Sequence, residues 1–182
     1  MRFRLRALVL LLRYSGLRIG DAVGLERRRI ADGKLFLYTA KTGTLVSCPL
    51  HKVVVEALDA VRGTSEKHFF WTGQGKLRSA VGDWQRSLKK LFALAKVSGG
   101  HAHRFRHTFA VELLVAGVPI ERVSMLLGHS SVRITEKHYA AWVRARQEQL
   151  EADVRRSWTL ESGLLSSEPG TYPARGKAEL VN

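Results

Sequence analysis

Between residues 101 and 139 runs "HAHRFRHTFAVELLVAGVPIERVSMLLGHSSVRITEKHY", with five histidines, two arginines near its start and a tyrosine at its end. No cysteine pair or carboxylate cluster accompanies them, so the residues are not those of a metal site. They suit proton transfer and anion binding. His103 and Arg106 stand three apart and project from one helix face. A planar guanidinium matches two oxygens of a phosphate, while an imidazole beside it moves protons near neutral pH. Tyr139 offers a phenol, a weak nucleophile unless cations surround it. His129 follows in "LLGHSS", exposed on a tight turn past a helix end. Each feature alone has a plainer reading: His103 and Arg106 as a solvated helix face, Tyr139 as an amphipathic residue of the last helix. Two upstream cations sharpen the pattern. Arg18 follows the turn Ser15-Gly16 at the start of a helix, with Asp21 one turn on to buttress it. Lys41 sits at a hairpin tip, where a long cation reaches a ligand.

The charge balance names a partner class. Lys and Arg number 30 against 16 acids, a net charge of +14 over 182 residues. A compact domain this basic repels itself unless a polyanion is its partner, which puts nucleic acid first and an anionic membrane surface second. Cys48 is the only cysteine. It permits no intrachain disulfide and fits a reducing cytoplasm. The N-terminus is basic and continues into the apolar run Ala7 to Leu12, six residues ended by Arg13. That is too short for a bilayer span and lacks a small-residue cleavage site, so it reads as a buried core helix.

These residues need elements to carry them. Leu5, Leu8, Val9 and Leu12 share a helical face, and Ser15-Gly16 ends the helix. A second helix is expected from about Leu17 to Leu25. "GKLFLYT" and "LVSCPL" form two strands around the turn "AKTGT". "HKVVVEALDAVR" returns to helical periodicity, and "HFFW" is a candidate short edge strand. A helix is expected over Ala80 to Val97. Another runs from His103 to Ala116, with Gly117 as its cap. Pro119 opens the next helix, which ends near Gly128. Ser130 or Ser131 caps the last, which carries Tyr139 and runs to Trp158. The expected domain is mainly α with a small antiparallel hairpin, an α+β arrangement over residues 1–158. Residues 159–182, rich in Ser, Gly and Pro, read as a disordered tail.

In this order the motifs resemble the catalytic domain of tyrosine recombinases, the family of phage and integron integrases and Xer-type resolvases. "YSGLRIGDAVGL" resembles the first arginine box, with Arg18 in the arginine's place. "GKLFLYTAKTGTLVSCPL" resembles the hairpin, with Lys41 as its lysine. "HAHRFRHTFAVELLVAG" resembles the second box, with His103 and Arg106 as the His-x-x-Arg pair. "VSMLLGHSSVRITEKHY" resembles the third, with His129 and Tyr139 as second histidine and nucleophile. Arg104 and Phe105 depart from the Asp and Leu common between the paired His and Arg. The interval from His129 to Tyr139 is one residue longer than the resolvase pattern.

The resemblance implies DNA cleavage and rejoining through a 3′-phosphotyrosyl bond, with no metal or cofactor. It implies double-stranded DNA as partner, a homotetramer on that DNA, and a cytoplasmic, nucleoid-associated location. Family members usually carry a helical DNA-binding domain ahead of the catalytic one. This sequence starts inside the catalytic domain's early helices, so a truncated or remnant form is an expectation too. Rival readings are a helix-turn-helix regulator built on "AGVPIERVSMLLGHSSV", a type IB topoisomerase, and a DNA-binding remnant without activity.

Overall fold

A computed structural model describes residues 2–61 and 65–165. The chain falls into two units, Met1–Arg144 and Ala145–Asn182. The first carries helices α1 (Arg2–Ser15), α2 (Ile19–Val23), α3 (Lys52–Asp59), α4 (Leu77–Leu94), α5 (Ala102–Val115) and α6 (Ile120–Leu127). Strands β1 (Ile30–Ala31), β2 (Lys34–Tyr38) and β3 (Leu45–Pro49) form one antiparallel sheet in that order. Helix α7 (Val132–Leu165) begins in the first unit and continues through the described part of the second.

The N-terminal apolar run is a core helix, as its face implies. Ala7, Leu8, Leu11 and Leu12 are fully buried, and α1 packs against both α3 and α5. Burying those leucines is worth about 2 kcal/mol each, so α1 is the hub of the main core. That core also takes Val54 and Leu58 of α3, Trp84 and Leu88 of α4, and the inward residues Leu35 and Leu37 of β2. A second cluster joins Phe109, Ala110 and Leu114 of α5 to Val123 and Leu127 of α6, Cys48 of β3 and Tyr139 of α7. Tyr139 is thus a core residue as well as a candidate for chemistry.

Several elements differ from expectation. The hairpin is a three-stranded sheet, because Asp32 and Gly33 both take positive φ, 50° and 69°, and turn Ala31 back onto Lys34. Asp-Gly at the centre of a two-residue turn is a strong hairpin signal. "HFFW" is no strand: it makes one isolated bridge, Glu26 to His68. The 3-10 turn Arg27–Arg29 bends its partner away, and Phe69 and Phe70 are both buried rather than alternating. Helix α2 has only five residues. Helix α4 starts and stops three residues earlier than expected, and Lys96 turns to φ 55° beyond it. Helix α7 does not stop at Trp158 but continues to Leu165. Residues 166–182 of the expected tail lie outside the described residues. Among the described residues, no helix is long and apolar enough to cross a membrane.

Candidate active site

Two glycines shape the scaffold of the site. Gly16 ends α1 at φ 62°, and a Cβ there would meet the Phe109 ring at 2.4 Å. The chain therefore presses directly on α5. Gly128 ends α6 at φ 62° in a Schellman turn: its own N–H donates to Met125 O at 2.9 Å, and His129 N–H to Ser124 O at 3.1 Å. A Cβ on Gly128 would lie 2.7 Å from Thr39 and 2.8 Å from Val46. So α6 closes against the sheet, and the next residue, His129, is delivered beside the hairpin loop.

Arg106 ties these ends together. It is 2 % exposed. Its Nη1 donates to Gly16 O at 2.8 Å and its Nη2 to Leu127 O at 2.7 Å. Burial first, then Arg18, lowers its pKa to about 10, with Tyr139 and Asp21 opposing. It remains a cation near neutral pH. Arg18 holds the N-cap position of α2 in extended backbone. Its Nη1 is buried without a hydrogen-bond partner among the described residues. Asp21 does not pair with Arg18 as expected. Its Oδ1 accepts from Ala40 N–H at 2.8 Å, holding the loop next to Lys41. The same loop is pinned by Thr42, whose Oγ1 donates to Gly128 O at 2.9 Å.

All six residues singled out from the sequence line one cleft of about 630 Å³: Arg18, Lys41, His103, Arg106, His129 and Tyr139. Thr42, His101, Arg104, His107, Ser130, Ile134 and His138 complete its lining. Among the described residues no carboxylate lines it, so the site is built for an anion. His129 is half-buried rather than exposed, with Nδ1 2.8 Å from Thr135 Oγ1. Desolvation, then Arg106 and Arg18, lower its pKa to about 4. His103 is also lowered, by desolvation first and then by Arg106. Both rings are neutral near neutral pH.

Tyr139 departs from the expectation that surrounding cations make its phenol acidic. It is 4 % exposed, and burial raises its pKa more than Arg106 lowers it. Its ring stacks on His107, centroids 5.3 Å apart. No motif in the sequence singles out His107 or Thr135. Thr135 lies four residues before Tyr139, a helical spacing that places both on one face of α7.

The His129 shift predicts a stability effect with a definite sign. Its folded pKa lies below the ordinary 6.5, so the unfolded chain binds the proton first as pH falls. The contribution is complete above pH 6.5 and is lost as pH drops toward about 4. The expected loss is on the order of 1–3 kcal/mol. Since His103 acts in the same direction, wild type should be compared with His129→Gln by denaturant midpoints across this window. The variant should show the shallower acid loss; equal slopes would remove His129 from the account.

The fold resembles that of the XerA recombinase, with a TM-score of 0.66 at 20% identity, covering 84% of this chain and 58% of that one. It also resembles the XerH site-specific recombinase in its post-cleavage complex with palindromic difH substrate, with a TM-score of 0.64 at 18% identity, covering 84% of this chain and 45% of that one. The shared architecture is mostly helical with a small antiparallel sheet. The model of the phage integrase family matches residues 1–146, and the chain belongs to that family. Tyrosine recombinase XerD of Mycobacterium leprae is 33% identical over 159 residues, covering 80% of this chain and 50% of that protein. Tyrosine recombinase XerC of Agrobacterium fabrum is 36% identical over 142 residues, covering 71% of this chain and 44% of that protein. The chain spans about half the length of the curated relatives it matches.

Proposed function

We propose that this chain carries out site-specific DNA recombination by strand cleavage and rejoining. The observation that carries the reading is the cleft itself, where a phenol, three guanidiniums, a lysine and five imidazoles meet with no carboxylate among the described lining residues. The Tyr139 oxygen attacks a scissile phosphorus in line and the bond to the 5′ oxygen breaks, leaving a 3′-phosphotyrosyl ester. Because Tyr139 is held protonated, its proton must leave as the bond forms. His103, held neutral, is suited to take it. Arg18 and Arg106 neutralise the non-bridging oxygens as charge builds in the transition state. His129 donates a hydrogen bond to the phosphate, and Lys41 protonates the departing 5′ oxygen. The ester keeps the phosphate activated, so a 5′ hydroxyl from another strand reverses the step and exchanges strands.

On this reading residues 1–158 form the catalytic domain, double-stranded DNA is the partner, and a homotetramer on two sites is the working assembly, associated with the nucleoid. A lambda integrase dimer bound to a COC' core site, similar in fold, supports the DNA partner.

The role of Lys41 gives the sharpest test. Lys41→Ala should cut cleavage of ordinary DNA by about 100-fold or more, the scale of a lost general acid. A substrate whose 5′ bridging oxygen is sulfur needs no proton on its leaving group. Cleavage of that substrate by Lys41→Ala should return to near the wild-type rate. A variant equally slow on both substrates would take the acid role away from Lys41.

A further inference from the structure

His129 and Thr135 form a pair that decides where one proton sits. Nδ1 of His129 lies 2.8 Å from Thr135 Oγ1, and Thr135 is fully buried. With Nδ1 engaged, Nε2 is the ring nitrogen left for a ligand in the cleft that His129 lines. A neutral imidazole carries a single N–H. If Nδ1–H donated to the hydroxyl, Nε2 would present a lone pair, which a phosphate oxygen repels. If the hydroxyl donates to Nδ1, Nε2 carries the proton and becomes a donor. Arg18 and Arg106 make the same cleft attractive to an anion, and a bare lone pair there would work against them.

We propose that Thr135 is a positioning residue whose hydroxyl donates to His129 Nδ1 and so fixes the Nε2–H tautomer. The device gives the phosphate a hydrogen-bond donor without adding another positive charge to a cleft already lined by Arg18, Lys41, Arg104 and Arg106. It rests on the reading that the cleft binds a scissile phosphate, but the tautomer itself is a property of the free protein.

The test therefore starts without DNA. Nitrogen-15 NMR of histidine-labelled protein near neutral pH should show His129 in the Nε2–H form. Thr135→Val keeps the side-chain shape and removes the hydroxyl; it should shift His129 away from that form, and Thr135→Ser should keep it. In single-turnover cleavage at saturating DNA, Thr135→Val should be slower by about tenfold, the scale of one hydrogen bond, with DNA affinity unchanged. Thr135→Ser should stay close to wild type. A wild-type Nδ1–H tautomer or imidazolium overturns the proposal, as does a valine variant that keeps the Nε2–H form. If Thr135→Val fails to fold, the wild-type and serine tautomers still decide. A correct tautomer in a protein that cleaves no DNA would sustain the pair and count against recombination instead.

Discussion

Tyr139→Phe should abolish the covalent protein–DNA adduct while leaving the domain folded. The substitution removes one atom. The phenyl ring keeps its place in the cluster with Phe109, Leu114 and Leu127, and keeps its stack on His107. No hydrogen bond joins the Tyr139 hydroxyl to another described side chain, so its loss leaves no orphaned partner there. Stability should change by less than about 1 kcal/mol. Chemistry should disappear, since without the oxygen no phosphotyrosyl bond forms. A DNA nicked near the scissile phosphate, which traps the intermediate, followed by a denaturing gel, reads this directly. A persistent adduct would mean a different nucleophile. His138 is the first suspect because it lines the same cleft, whereas Tyr14 stacks on His51 outside that lining.

Arg106→Ala should have two large effects at once, and they need to be separated. From sequence alone the expected loss is catalytic, about 3–4 kcal/mol of transition-state stabilisation or several hundred-fold in rate. The structure adds a cost to the fold. Two N–H groups of Arg106 satisfy the carbonyls of Gly16 and Leu127, and alanine would leave both buried ends short of a donor. Each such bond to a charged group is worth about 1.5–3 kcal/mol. The denaturant midpoint should therefore fall markedly along with cleavage. Arg18→Ala supplies the contrast. Its Nη1 has no protein partner to abandon, so stability should hold while cleavage falls by a similar factor. Equal destabilisation by the two substitutions would contradict this division of labour.

Residue types and spacing carried most of the candidate site. A phenol, paired His and Arg, a second His, an upstream Arg and a hairpin Lys are chemically uncommon companions, and their local context announced the elements bearing them. Leu5, Leu8 and Leu12 at helical spacing, Gly16 and Gly128 after apolar helices, and alternation in "KLFLY" are all local signals, readable because neighbouring residues report on them. The third strand was also written locally, in Asp32-Gly33.

Other features depended on residues far apart in the chain. Arg106 reaches Gly16, 90 residues away, and Thr42 reaches Gly128, 86 away. Neither spacing has a periodic signature, so Asp21 read as a partner for Arg18 although it holds Ala40. Burial decided the rest. Cations near Tyr139 argued for an acidic phenol, but packing against Phe109 and Leu127 made desolvation the larger effect. Likewise His129 is half-buried because the sheet and α6 close around Gly128, and its contact with Thr135 exists only once α7 starts from that turn. Sequence determines which groups are available for chemistry; protonation and orientation depend on solvent exclusion and on partners that only the folded chain assembles.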